Sequence, residues 1–239
     1  MISVCVATYN GAHYVLAQLQ SILPQLAADD EIIVSDDGSI DATREVVQCI
    51  GDSRIVLIDG PCVGLIRNFE HALRQAHGDI IFLCDQDDIW LPGKIEHCVA
   101  ALHSHLLVVT DCKVVDGELN EIAPSFFHLR NSGGGLLHNL WKNSYLGCCM
   151  AFRRELLDYA LPFPASIPMH DMWLGMIAET RGTVSFLPIP LSLYRRHACN
   201  ASYGWRSSAS IWKMLTDRVF LGALVAGRTV VNTFVKARC

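Results

Sequence analysis

Asp85-Gln86-Asp87-Asp88 puts three carboxylates into four residues, directly after the apolar run 80–84. Carboxylates this close repel one another, and in a cleft the repulsion is costly unless a cation joins them. Their hard oxygens suit Mg2+ or Mn2+, which bind one or two carboxylates together with phosphate oxygens. The same string also reads as an acidic surface turn ahead of a helix. A second cluster, Ser35-Asp36-Asp37-Gly38-Ser39, follows the apolar segment 31–35. A carboxylate there can accept hydrogen bonds from a ribose or a base N–H, although Asp-Gly-Ser is equally a turn and a helix start. Thr8-Tyr9-Asn10-Gly11 follows the apolar run 2–7, and Tyr9 can stack on or flank a base.

Three polar clusters need three parallel strands to bring them together. Strands are expected at 2–7, 31–35, 54–58, 79–84 and 106–110, alternating with helices at 12–23, 41–50, 65–76 and 91–103. Pro24 ends or kinks the first helix, Ser39 or Asp41 caps the second, His77-Gly78 closes the third and Pro92 lies in the first turn of the fourth. This order predicts an α/β fold with a mostly parallel sheet and helices on both faces. Ligands collect beyond the carboxyl ends of such strands. The second half is less regular: a loop at 131–135, strands at 144–153, 183–187 and 193–196, and a helix at 171–180. It is expected to pack on the same sheet and complete a site. No GxGxxG follows the first strand and no GxxxxGK[ST] occurs, so phosphates must be held by metal and side chains.

The bulk properties agree with one large domain. The chain has 239 residues, 51% hydrophobic and 18% charged, which excludes disorder. A net charge of −5 argues against a nucleic-acid partner. Ten cysteines without a CxxC pair read as a reduced, cytoplasmic protein. The N-terminus lacks a basic signal-peptide region, and no apolar window reaches the ~18 residues of a membrane span. From Trp205 onward there are six basic residues and one acid, Asp217, with apolar positions at helical spacing. Such a helix either lies peripherally on the inner face of an anionic membrane or docks on protein.

The motif strings together resemble the family 2 glycosyltransferases of the GT-A fold. They run from Thr8–Gly11 and Ile32–Ser39 through Asp85–Pro92 and Gly147-Cys148 to His170–Trp173 and Tyr194–His197. The Asp85–Trp90 and Tyr194–His197 strings are most similar to bacterial rhamnosyltransferases of O-antigen and capsule assembly. The resemblance implies a GT-A domain over 1–203 and a basic helical tail over 204–239. It implies inverting transfer from a nucleotide-diphosphate sugar, dTDP-rhamnose first and a UDP-sugar next, to a glycan or polyprenyl-linked acceptor. It places Thr8, Tyr9, Asn10, Asp36, Asp37, Arg67 and Asp85 on the nucleotide sugar, with Arg67 toward the diphosphate. Asp87, with Asp85 and His197, would hold Mg2+ or Mn2+. Asp171 would be the general base, ionised at an ordinary carboxylate pKa, and Cys148, His170 and Trp173 would lie on the acceptor side. The family often has Glu where this chain has His170. A metal-dependent nucleotidyltransferase and a non-catalytic sugar-nucleotide-binding subunit are the alternatives.

Overall fold

A computed structural model describes residues 1–197 and 211–236, with side chains over 1–197 and 218–230. Four strands, β1 (Ile2–Thr8), β2 (Glu31–Asp36), β3 (Ile55–Asp59) and β4 (Ile80–Asp85), pair in parallel in the order β3-β2-β1-β4. Helices α1 (Val15–Ile22), α2 (Thr43–Cys49) and α3 (Leu65–Gln75) cross between them. Strands β1, β2 and β4 read as apolar runs because both faces are covered, while the edge strand β3 is partly exposed. Cys5 and Ala7 face one cluster with α3, while Val4 and Val6 face another with α1. That division follows the two-residue period of a strand.

The helix ends differ from the expectation for local reasons. Asp41 Oδ1 accepts the Thr43 N–H from outside α2, and Pro24 sits in a 3-10 turn, Leu23–Gln25. Beyond α3, Ala76 turns extended, and Gly78 serves close approach rather than a left-handed cap. A Cβ on Gly78 would lie 2.6 Å from Ser3 N. Helix α4 (Lys94–Leu102) starts after Pro92, because Leu91 N–H donates to Leu191 O and Gly93 takes the left-handed turn.

Past β4 the sheet is mixed rather than parallel. Strand β8 (Met150–Arg153) lies antiparallel between β4 and β6 (Leu107–Val115). The expected strand over 144–153 is half its length because Gly147–Cys149 forms a 3-10 turn. The two strands expected at 183–187 and 193–196 are one, β9 (Val184–Arg195), parallel to β6. Its register against β6 slips near Pro188 and Pro190, which have no N–H to donate. Short strands β5 (Ile89–Trp90), paired with β9, and β7 (Glu121–Ala123), paired with β6, complete the sheet among the described residues. Helices α5 (Phe126–Arg130), α6 (Leu136–Trp141), α7 (Leu157–Ala160) and α8 (His170–Arg181) cover one side.

The tail forms α9 (Ile211–Lys236), and its described middle docks on the body. Leu221 and Val225 are buried in the same core as α8. Arg228 donates to the Leu161 and Pro162 carbonyls, Arg218 to Leu140 O, and Arg181 to Thr229 O. Two of the expected lipid-facing cations are therefore spent on protein carbonyls. The expected domain boundary at 203/204 lies outside the described residues. Among those residues no helix is long and apolar enough to cross a membrane.

Candidate active site

The carboxyl ends of β1, β2 and β4 converge, with Thr8 beside Asp36 and Ala7 beside Asp85. They open into a cavity of about 630 Å3. Seven anticipated residues line it: Thr8, Tyr9, Asp37, Asp85, Asp87, His170 and Asp171. Asp37 Oδ2 accepts the Gly64 N–H at 2.7 Å, and its Oδ1 is buried without a hydrogen-bond partner. A buried acceptor left open in a cavity wall is paid for only if a ligand donates to it.

Asp36 and Asn10 build the rim instead of lining the cavity. Asp36 is buried and accepts from Ser39 N (2.9 Å), Ser39 Oγ (2.6 Å) and Thr8 Oγ1 (2.9 Å). Asn10, at φ 49°, accepts the Ile40 N–H and donates its own N–H to Ser39 Oγ. Gln86, the unremarked middle of the acidic motif, accepts from Tyr9 N at 2.9 Å and donates to Tyr9 O at 3.1 Å. Gly11 is required there, since its Cβ would lie 2.1 Å from Gln86 Oε1. Asn68 joins the strand ends by donating to Ser35 O and accepting from Ser35 Oγ.

The acids separate into distinct environments. Asp87 Oδ2 lies 2.8 Å from His197 Nε2, and the His197 ring stacks on Tyr14. Asp88 turns inward, where Oδ1 accepts the Arg195 N–H at 2.9 Å and Oδ2 is buried with no hydrogen-bond partner. Arg195 Nε donates to Asp87 O, fixing β9 to the motif. Burial, then the neighbouring Asp87 and Asp171 charges, push the Asp85 carboxyl up to about 8. Burial with Asp87 and Asp85 raises Asp88 as well. The hard oxygen donors of Asp85 and Asp87, facing one cavity and repelling each other, fit a divalent cation.

The opposite wall carries Asp171 in the first turn of α8. Its Oδ2 accepts the Gly147 N–H at 3.2 Å, and its Oδ1 accepts the Met172 N–H. Burial raises its carboxyl to about 6, against those hydrogen bonds, so the ordinary carboxylate value expected from the sequence does not hold. His170 stacks on Phe69, with ring centroids 4.1 Å apart. Both its nitrogens are buried without partners, and burial lowers its pKa to about 3. It is therefore a neutral imidazole in the cavity wall.

Three anticipated residues lie elsewhere. Arg67 pairs with Glu70 and donates to Phe163 O and Pro164 O, so its guanidinium holds α3 to the 163–164 segment and does not face a diphosphate. Trp173 is fully buried, donates to Ala160 O and belongs to the core. Cys148 sits behind the acids, its sulfur within 4.8 Å of carboxylate oxygens of Asp85 and Asp88. A contact with Cys149, then burial, holds its thiol well above the ordinary range, so it is no nucleophile. Lys94, unnoticed in the sequence, is wholly buried beside this group.

Comparison with known proteins places this arrangement. An Escherichia coli protein named UDP-Glc:alpha-D-GlcNAc-diphosphoundecaprenol beta-1,3-glucosyltransferase WfgD is 28% identical over 92% of this chain and 87% of its own. WfaP, of the same named activity and organism, is 36% identical over 41% of this chain and 39% of its own. In fold, the chain is similar to Staphylococcus aureus TarS 1-349 in complex with UDP-GlcNAc. That match has TM-score 0.71 and 21% identity over 95% of this chain and 66% of that one, so the chain spans just under two thirds of it. A Pyrobaculum calidifontis mannosyltransferase in complex with GDP-Man and Mn2+ matches with TM-score 0.63 and 19% identity, over all of this chain and 75% of that one. The sequence description of glycosyl transferase family 2 fits residues 3–160, from the first strand to beyond the mixed sheet's central β8. Strand ends, acidic motif and fold thus agree, and the chain belongs to glycosyl transferase family 2.

Proposed function

We propose that the protein is an inverting, metal-dependent glycosyltransferase that moves a sugar from a nucleotide diphosphate to a lipid-linked glycan. The observation that carries this reading is one cavity flanked by Asp37, by Asp85 and Asp87, and by Asp171. Asp37 Oδ1 accepts from the base, and Tyr9 lies along it. Asp85 takes the ribose side. Asp87, with His197 and Asp85 adjacent, holds Mg2+ or Mn2+, which supplies positive charge against the departing diphosphate. Asp171 accepts the proton of the acceptor hydroxyl as that oxygen attacks the anomeric carbon from the face opposite the leaving group. A carboxyl near 6 is largely ionised at neutral pH yet more basic than an exposed one. His170 faces the acceptor as a neutral hydrogen-bonding group.

Two relatives named for UDP-Glc and a fold neighbour solved with UDP-GlcNAc favour a UDP-sugar as donor. The Asp85–Trp90 and Tyr194–His197 strings support dTDP-rhamnose as the second reading. The relatives' diphosphoundecaprenol acceptors favour a polyprenyl-diphosphate glycan, met at the inner face of the plasma membrane. In that setting residues 1–203 act as the catalytic domain and 204–239 as its tail, docked through the described middle of α9. Val219, Phe220 and Val230 on α9 stay exposed and touch lipid peripherally. The test incubates the full chain and Mn2+ with UDP-Glc, UDP-GlcNAc or dTDP-rhamnose and a diphosphoundecaprenol-GlcNAc acceptor in vesicles. Transfer from a UDP-sugar supports the reading, transfer from dTDP-rhamnose alone favours the second, and no transfer or donor hydrolysis with any of them contradicts both.

A further inference from the structure

Lys94 is fully buried, as lysines rarely are. Its side chain is fully enclosed, and a buried ammonium pays a heavy desolvation cost that a leucine or methionine of similar reach would avoid. All of its recorded partners are specific. Nζ donates to Cys148 O at 2.6 Å and to Ser192 Oγ at 2.7 Å, and lies 4.5 Å above the Trp90 ring. Lys94 N–H donates to Gln25 Oε1, which fixes the start of α4.

Two of these partners adjoin segments that line the cavity. Cys148 directly follows Gly147, whose N–H holds Asp171 Oδ2. Ser192 lies on β9 beside Trp90 of β5, three residues before Arg195, which holds Asp88 Oδ1 and Asp87 O. One ammonium thus links the segment that orients Asp171 to the strand that orients the acidic motif.

We propose that Lys94 is a positioning residue for sugar transfer. It sets the distance between Asp171 and the Asp85–Asp88 turn without touching substrate. The inference rests on the glycosyltransferase reading above. Because Lys94 does not line the cavity, its loss should act on the chemical step rather than on donor binding. Misplacement of reacting groups by about 1 Å costs on the order of 10²-fold in rate.

The experiment compares wild type, Lys94→Met and Ser192→Ala as full chains. It measures the dissociation constant for UDP with Mn2+, the binding stoichiometry, and transfer kcat per nucleotide-binding site. The expected result for Lys94→Met is a kcat lowered on the order of 10²-fold with nucleotide affinity within about threefold and full stoichiometry. Ser192→Ala, which keeps the lysine, should lose rate in the same direction but less, and the double variant should lose no more than Lys94→Met alone. Wild-type kcat in a folded Lys94→Met overturns the proposal. So does a loss that only follows reduced stoichiometry, since that is plain destabilisation. If Lys94→Met does not fold, unchanged kcat in Ser192→Ala overturns it. Absence of transfer by the wild type instead counts against the function proposed above.

Discussion

A general base works best when its pKa lies a little below the pH of operation. Asp171 meets that condition through burial, which lifts its carboxyl to about 6 while the Gly147 and Met172 N–H groups keep the ionised form solvated. The base must be ionised to act, so kcat at saturating donor and Mn2+, where bound metal keeps Asp85 ionised, should rise with pH and level off above about 6. Below that it should fall tenfold per unit. A limb centred near 4 would show that Asp171 titrates as an exposed carboxyl. Asp171→Asn should lower transfer by roughly 10²–10⁴ with nucleotide affinity unchanged, because the side chain lies on the wall opposite Asp37. At the acidic motif, EDTA should abolish transfer and Mn2+ or Mg2+ restore it. Asp87→Ala should stay folded, because it relieves repulsion, and lose activity even with metal in excess. Full activity of metal-stripped protein would refute the role given to Asp87 and His197.

The elements explain which parts of the site were legible in the sequence. The first four strands could be read as apolar runs ending in polar residues, doubly covered in β1, β2 and β4, and that pattern put Asp37, Asp85 and Asp87 at one edge. A strand ending at Arg153 could be read, but the late start of β8 and its antiparallel direction could not. It starts after a turn whose geometry is set by a hydrogen bond to Asp171, 24 residues away. Nothing local in the sequence marks Gln86 or Lys94, because their partners Tyr9, Cys148 and Ser192 are distant along the chain. Trp173 closes a motif string, but the turn of α8 sends it into the core, and Arg67 is turned toward the 163–164 segment. The tail's mixture of basic and apolar residues fits lipid or protein equally until Leu221 and Val225 are seen buried against α8. Truncation of Leu221 should therefore act on the whole domain. Leu221→Ala is expected to cost about 2–5 kcal/mol, lowering the melting temperature by roughly 4 °C or more at about 2–4 °C per kcal/mol. An unchanged melting temperature would mean that α9 is not part of the folded body.

At the scale of the whole molecule, β1, β2 and β4 carry the nucleotide side of the cavity, while α8 and the 147–149 turn carry the acceptor side. Nucleotide binding should therefore stabilise the domain as one unit. At 100 times its dissociation constant a ligand adds about 2.7 kcal/mol, a rise of roughly 5–11 °C at about 2–4 °C per kcal/mol. With Mn2+ present, UDP should give a larger rise than dTDP or GDP at equal concentration. A larger rise with dTDP would move the donor to the rhamnosyl reading, and none with any nucleotide would refute the assignment of Asp37 and Asp85. The central claim is that an acceptor oxygen, deprotonated by Asp171, displaces the nucleotide in a single step. The most direct test is the anomeric configuration of the transferred sugar, read by proton NMR on product made with an α-linked UDP-sugar and Mn2+. The account predicts a β linkage from the first turnover, formed roughly 10²–10⁴ more slowly by Asp171→Asn. An α linkage, or β product at the wild-type rate from Asp171→Asn, would contradict it.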